Sequence, residues 1–179
     1  MADQTPPEAA PAPANATAAP SYSLVGQYTR DLSFENPGAP GSVMLGGSNP
    51  NFTVGINVGV KKQADDLYAV EISLNAKAER DKTVLFNVEL VYGGVFRVKN
   101  VPEQQLPALL MVECPRMIFP FARHVLATIV QLGGFPPLMM EPVDFQALYL
   151  QNLRNLQAQQ QKGEGGAAGK SPPAGDKAN

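Results

Sequence analysis

Alternation of apolar and polar residues dominates the first half of the chain. A period of two marks a strand with one buried face and one face in water. The period recurs in four segments, and short polar breaks at 63–66 and 80–82 separate the last three. We therefore expect a four-stranded antiparallel sheet whose second to fourth strands form a meander. The four segments are approximately 23–35, 51–62, 67–79 and 83–94.

Glycine and proline mark the limits of these strands. Pro37 and Gly38 stop sheet pairing after the first strand, and residues 36–50 form a long crossing to the second. The pair Gly93-Gly94 is expected to bend or bulge the end of the fourth strand.

The pattern changes to helical in the second half of the chain. Residues 106–132 are apolar almost all round, and a helix of this kind must be covered on every side. One four-stranded sheet covers a single side, so the other side needs a partner, most simply another copy of the chain. Pro115 and Pro120 are expected to break or kink this helix, and Gly133-Gly134 to end it.

A last helix is predicted over residues 144–161, with Asp144 as its N-cap. Its polar positions are mostly Gln and Asn, and its apolar positions form one stripe. The stripe consists of Phe145, Leu148, Tyr149, Leu153 and Leu156.

Both ends of the chain differ in composition from the centre. Residues 2–20 contain eight Ala and five Pro, which bury too little surface to offset the entropy of ordering. Residues 162–179 are rich in Gly and Lys. We expect disordered tails at 1–21 and 162–179 around one domain at 22–161.

Composition narrows the classes of function. Charged residues make up 17% of the chain, which is low for a soluble domain and favours apolar contacts with other molecules. The net charge is −2 and no basic cluster occurs, so nucleic-acid binding is not expected.

The expected location is the cytoplasm. A single cysteine excludes an internal disulfide and fits a reducing compartment. The first residues lack a basic stretch followed by an apolar one, so we expect no signal peptide. No apolar run reaches the roughly 18 residues that a membrane helix needs, so no membrane insertion is expected.

Few residues suggest catalysis. Cys114 and the only histidine, His124, could form a nucleophile–base pair, which would make the protein a cysteine hydrolase. The simpler interpretation is a packed core cysteine and a partly exposed helix histidine. No Cys/His cluster suggests zinc, and no glycine-rich motif precedes a helix. We therefore expect no enzymatic activity, no cofactor and no metal.

Two surface features remain. Asp31 and Glu35 lie on one face of the first strand, and Glu89 lies on the polar face of the fourth. Such acids are commonly just solvated. The crossing also holds the apolar run 43–45 among glycines, which either forms an adaptable apolar lip or packs on its own sheet.

Several longer motifs, taken in order, resemble the SecB family of bacterial export chaperones. The similarity covers about residues 24–156. The motifs are YTRDLSFENPGAP at 28–40, LYAV at 67–70, GGVF at 93–96, CPRMIFPFAR at 114–123, GGFPPL at 133–138 and PVDFQALY at 142–149.

The resemblance implies an α+β fold in which long helices pack on one face of a four-stranded antiparallel sheet. It also implies a homotetramer, a dimer of dimers joined through the long helix. Family members hold unfolded precursor proteins without ATP and deliver them to the translocase motor SecA, whose zinc-bearing tail carries its own metal.

The resemblance further implies two binding surfaces. An acidic sheet face docks SecA, and a groove framed by the crossing and the last helix takes clients. This chain departs from the family in its Gly-rich crossing, which lacks the aromatic residue that relatives place there. The implied SecA-binding residues are Asp31, Glu35 and Glu89, and the implied groove residues are Val43, Met44, Leu45, Phe52 and Phe145.

Two alternatives stay open beside this function. A small-ligand binding module could use the same apolar groove, with one tight ligand in a closed pocket. A SecB-like chaperone could instead serve a stress-linked toxin–antitoxin system.

Overall fold

The structure is a computed structural model that describes residues 19–44 and 49–164. Most of the two predicted tails, at 1–21 and 162–179, lies outside these residues. Leu45 lies outside them as well, and the side chain of Met44 is not described.

Four long strands form one antiparallel sheet in the order β1-β4-β3-β2. The prediction of a four-stranded sheet with a β2–β3–β4 meander is confirmed. Asp81 and Lys82, in the turn from β3 to β4, both have positive φ, as tight hairpin turns require. The strands are β1 Ser21–Glu35, β2 Asn51–Ala64, β3 Leu67–Arg80 and β4 Thr83–Lys99.

Strand β4 does not end at its glycine pair, which corrects the prediction for Gly93-Gly94. It continues to Lys99, and the irregularities in this ladder lie in the partner strand β1, between Thr29 and Asp31 and between Leu24 and Gly26. Bulges therefore belong to the edge strand rather than to the glycines.

The glycine pair allows neighbouring side chains to pack closely against both faces of β4. A Cβ added to Gly93 would lie 2.5 Å from Cζ of Tyr28, so the tyrosine ring crosses the strand at this point. A Cβ on Gly94 would lie 2.9 Å from Cδ1 of Leu24 and 3.0 Å from Cγ2 of Ile118. The missing side chains thus admit a ring on one face and a helix on the other.

The long apolar segment was predicted to break or kink at Pro115 and Pro120. It stays helical through both prolines, so it does not break there. It consists of α2 Leu106–Ala108, a π-helical turn Leu109–Glu113 and α3 Cys114–Leu132. The amide of Cys114 bonds to the carbonyl of Leu109, five residues back. Pro115 has no amide hydrogen to donate, so a regular α-helix would lose a hydrogen bond there. The π-helical turn, in which hydrogen bonds span five residues, lies next to this position. Pro120 lies inside α3.

Both predicted helix caps are confirmed. Gly134 has φ of 89°, a left-handed conformation that lets the chain leave α3, while the amide of Gly133 bonds to the carbonyl of Ile129 at 2.9 Å. The last helix, α4, spans Phe145–Glu164, and the amide of Ala147 donates to Asp144 Oδ1 at 3.0 Å.

The core lies between one face of the sheet and α3. Alternate residues of β3 and β4 are almost fully buried there, and they meet the inward face of the helix. The fold is therefore α+β, with its helices on one face of the sheet. The buried residues include Val70, Ile72, Leu74, Phe86, Val88 and Leu90 of the sheet and Ile118, Ala122, Leu126 and Val130 of α3.

The outward face of α3 is uncovered and carries three exposed large apolar side chains. Met117, Phe121 and Leu132 are 41%, 50% and 77% exposed. Met117 and Phe121 lie four residues apart, and His124 and Thr128 continue their row along the helix. The sheet thus covers one side of this helix only. None of the described helices is long and apolar enough to cross a membrane.

Candidate functional site

The face of the sheet that no helix covers, here called the open face, holds all three predicted acids. Residues directly opposite each other in an antiparallel ladder share a face. Ser33 lies opposite Glu89, and Asp31 and Glu35 lie two positions to either side of Ser33. The fold thus brings the acids of β1 and β4 together, and all three are exposed.

No cation of the described residues is paired with the three acids Asp31, Glu35 and Glu89. Lys77, which borders the same part of the open face as Glu35 and Glu89, pairs with Glu79 on its own strand. Unpaired carboxylates on a rigid sheet present a fixed negative field to a basic partner.

A shallow polar hollow of about 490 Å³ lies beside these acids. The residues that supply its amide and hydroxyl groups were not among the predicted site residues. In the sequence, each is one polar residue of a strand and looks like an ordinary solvated residue. The hollow is lined by Ser33, Glu35, Thr53, Asn75, Lys77, Asn87 and Glu89, among others.

A further carboxylate on the open face is already partnered. Glu71 accepts a hydrogen bond from Tyr28 Oη at 3.0 Å and forms an ion pair with Arg30. Partial burial, followed by the hydrogen bond to Glu71, raises the pKa of Tyr28 above its ordinary 10.0. The tyrosine is therefore a neutral donor at physiological pH, and Arg30 offsets the charge of Glu71.

An apolar pocket of about 810 Å³ lies at the other side of the sheet, where the crossing meets the segment after α3. Two predicted groove residues, Val43 and Phe52, line it. A Cβ on Gly134 would lie 2.9 Å from Cγ1 of Val43, so the glycine that ends α3 also lets the crossing approach. The lining further includes Leu85, Phe86, Phe135, Leu138 and Met139.

A cluster of phenylalanine rings forms the wall of this pocket. The ring centroid of Phe86 lies 5.0 Å from that of Phe135, 5.6 Å from that of Phe34 and 6.4 Å from that of Phe52. Phe86 is buried, whereas Phe52 is 49% exposed. The pocket thus offers aromatic surface that an apolar side chain from outside can contact. Its aromatic groups come from strands and from the GGFPPL segment, not from the crossing.

Phe145, one of the predicted groove residues, does not line this pocket. The residue is 1% exposed, and its ring packs edge-to-face on Phe119 at 5.6 Å. It anchors the first turn of α4 in the core. The helical period of the sequence shows that Phe145 belongs to an apolar stripe. It does not show whether a residue of that stripe packs in the core or lines a groove.

A second apolar cavity, of about 490 Å³, lies between the start of β1, the π-helical turn and α4. Tyr149, from the predicted stripe of α4, lines it together with Tyr22 and Leu109. None of the predicted site residues whose side chains the structure describes borders it.

The geometry contradicts the hydrolase alternative. Cys114 is fully buried, and burial, with a smaller contribution from the charge of Glu113, raises its pKa to about 12. His124 is exposed and lies ten residues further along the helical segment, or about 15 Å. A protonated, buried thiol at this distance has no base to activate it. Among the described residues, no group of three His, Cys, Asp or Glu side chains could hold a metal ion.

Comparison with known sequences points to one family. A family model described as preprotein translocase subunit SecB matches residues 15–156. The chain is 52% identical over 149 residues to a protein-export protein SecB of Rhodopseudomonas palustris (strain BisB5), covering 83% of this chain and 94% of that protein. It is 48% identical over 167 residues to a protein-export protein SecB of Bradyrhizobium diazoefficiens, covering 93% of this chain and 96% of that protein.

A solved structure supports the fold. A SecB-like chaperone of Mycobacterium tuberculosis, in complex with a ChAD peptide from an antitoxin, aligns with a TM-score of 0.57. The alignment covers 68% of this chain and 90% of that one, at 14% sequence identity. At this identity the likeness concerns the fold alone.

Proposed function

The chain belongs to the SecB family, and we propose that it is a cytosolic chaperone that holds unfolded precursor proteins without ATP and delivers them to SecA for export. The observation that carries the proposal is that one sheet bears two exposed surfaces of opposite chemistry. One is the open face with unpaired acids, and the other is the apolar pocket on the helix side. The export function of relatives about 50% identical supports this assignment.

The apolar pocket is the proposed client site. An unfolded segment places an apolar side chain against Phe52, Phe135 and Met139, which are partly or largely exposed. Such contacts are individually weak and accept many side chains, because methionine and aromatic surfaces adapt to different shapes. A folded client no longer offers free segments, so proteins that fold slowly are selected. Val43, Met44 and Leu45 of the crossing remain proposed members of this site.

The open face is the proposed SecA site. Asp31, Glu35 and Glu89 present unpaired carboxylates that attract a basic segment of the motor. Electrostatic attraction of this kind speeds encounter and fixes orientation. Because the client pocket lies on the other side of the sheet, the motor and a client can be bound together.

The proposed assembly is a homotetramer, built as a dimer of dimers through the outward face of α3. The exposed Met117, Phe121 and Leu132 support it, since a helix with an uncovered apolar side gains stability from a partner helix. Several pockets around one assembly also make each further client contact nearly intramolecular, which raises avidity by about 10²–10⁴.

Neither remaining alternative is favoured. The likeness to a chaperone in complex with an antitoxin peptide rests on 14% identity, which concerns the fold and not the client. A small-ligand module requires an enclosed pocket, whereas Phe52 and Met139 at the pocket wall are 49% and 69% exposed. Such an open wall suits loosely held chain segments better than one tightly enclosed ligand.

The direct test is refolding of a denatured, slowly folding secretory precursor with and without an excess of the purified protein, in the absence of ATP. We expect refolding and aggregation to slow, and light scattering to give a mass near that of four chains of 19.1 kDa. Unchanged refolding for several such clients would exclude holding. A mass of one or two chains would contradict the proposed tetramer while leaving the client site in place.

A further inference from the structure

Strand β1 places both Tyr28 and Asp31 on the open face, which a regular strand could not do. Tyr28 lies opposite Gly93, and Asp31 lies opposite Val91. Side chains of a strand alternate between faces, so residues three positions apart face opposite ways unless an extra residue intervenes. Arg30 is that extra residue, in the bulge between Thr29 and Asp31.

The bulge decides which side chains reach SecA. Thr29 pairs with Tyr92, so an unbulged ladder would set Asp31 opposite Leu90, which is 1% exposed in the core. Asp31 and Glu35 would then turn toward the helices, and Leu32 and Phe34 toward water. A one-residue slip exchanges the faces of every later residue in the strand. The acidic character of the open face along β1 therefore depends on this single irregularity.

One carboxylate contacts both the extra residue of the bulge and a residue shortly before it. Tyr28 Oη donates to Glu71 Oε1 at 3.0 Å, and the guanidinium of Arg30 pairs with Glu71 Oε2. Glu71 belongs to β3, so both side chains reach across β4. The tyrosine ring can cross only because Gly93 has no side chain, since a Cβ there would lie 2.5 Å from Cζ of Tyr28.

We propose that Tyr28, Arg30 and Glu71 are positioning residues for SecA docking: they hold the bulge of β1 in place and thereby aim Asp31 and Glu35 at the motor. The proposal rests on the proposed function of the open face. These residues need not touch SecA themselves, because Arg30 offsets the charge of Glu71 and Tyr28 lies partly buried beside it.

Arg30→Gln separates positioning from simple electrostatics, because the two mechanisms predict opposite signs. Removing a cation from an acidic face should tighten the binding of a basic partner if only net charge matters. If Arg30 holds the bulge, binding of purified SecA should weaken by about threefold to tenfold, as is usual for coupled neighbours. Arg30→Lys should restore most of it. Isothermal titration calorimetry of the full-length chain with SecA measures both.

Tyr28→Phe provides a second variant without any change of charge. It keeps the ring over Gly93 and removes only the hydroxyl, so we expect a loss of SecA affinity in the same direction as for Arg30→Gln. Lys62→Gln is the matched control, because Lys62 is also an ion-paired cation but lies at the end of β2, away from the bulge and from the acids of the open face. It should change SecA affinity by less than about twofold.

A double-mutant cycle with Asp31→Asn identifies the route of the effect. If the network acts by aiming Asp31, the loss caused by Asp31→Asn should be smaller in the Arg30→Gln background than in the wild type. Hydrogen exchange of amides in residues 24–36 should also be faster in both bulge variants. Client holding and the thermal unfolding midpoint serve to show that the domain remains folded.

Two outcomes distinguish this proposal from the one on which it depends. If the wild-type chain does not bind SecA, both fail. If the wild type binds, but Arg30→Gln and Tyr28→Phe bind as tightly or more tightly and exchange in residues 24–36 is unchanged, the positioning role alone is overturned.

Discussion

The two faces of the sheet differ in chemistry, as two neighbouring residues of β1, Phe34 and Glu35, show. Phe34 packs its ring on Phe86 at 5.6 Å and belongs to the aromatic wall beside the apolar pocket. Glu35 points to the open face, where it borders the polar hollow and has no salt bridge to any other described residue. One strand therefore contributes to both binding surfaces through alternate side chains.

The two proposed functions therefore use the same strand but different side chains of it. On the helix side, binding surface is an extension of the core, so the residues that form it also stabilise the fold. On the open face, the acids support almost no packing, and their role is electrostatic. Substitutions on the open face should consequently separate the functions more cleanly than substitutions at the pocket.

The largest expected effect is charge reversal on the open face. Asp31→Lys with Glu35→Lys should weaken SecA binding by about a hundredfold or more, because like charges then oppose the basic partner at a cost of several kcal/mol. Client holding should persist in the refolding assay.

The control for this variant makes the same change of net charge elsewhere. Glu103→Lys with Glu141→Lys alters two exposed acids outside the sheet and should leave SecA binding near the wild-type level. Equal losses in both variants would point to overall charge rather than to the open face. Loss of client holding as well would point to misfolding.

An intermediate effect is expected at the mouth of the pocket. Phe52→Ala should lower client affinity by about tenfold, since a partly exposed aromatic anchor contributes about 1–2 kcal/mol to such contacts. SecA affinity should not change. Competition between a labelled unfolded client and the unlabelled one measures the first quantity, and calorimetry the second.

Val60→Ala is the matched control for Phe52→Ala. Val60 lies on the same edge strand and is 38% exposed, but it does not line the pocket. Its truncation should leave client affinity unchanged. If both variants hold clients as well as the wild type, the pocket is not the client site.

The smallest effect is expected at Cys114, inside the covered face. Cys114→Ala should leave client holding and SecA binding unchanged at neutral pH, where a hydrolase would lose all activity. The folded state raises the pKa of this thiol from 9.0 to about 12, so the protonated thiol contributes stability that is complete below pH 9 and is lost as the pH rises toward 12.

The measurement is the free energy of unfolding in urea at pH 8 and pH 10. The wild type should lose about 1 kcal/mol more than Cys114→Ala between these values. An equal loss in both proteins would mean that the thiol titrates normally and is less enclosed than the structure indicates.

Local patterns in the sequence determined much of this architecture. Period-two alternation predicted the sheet and placed Asp31, Glu35 and Glu89 on one face, because alternation is a property of the extended backbone itself. Asp144 and Gly134 marked helix ends, since capping depends on the residues immediately around it. The over-apolar residues 106–132 indicated a side of the helix that the sheet leaves uncovered, as the exposed Phe121 shows.

Contacts between distant segments decided the rest. Phe145 is buried in the core, whereas Phe135 lines the pocket, although each is an apolar residue at the start of a segment. The neighbours that bury or expose these two residues come from other elements. The glycine pair looked like a bend, yet its use is to admit Tyr28 and Ile118 from opposite faces. The bulge at Arg30 had no local signal, because register is set by the partner strand and by Glu71 two strands away.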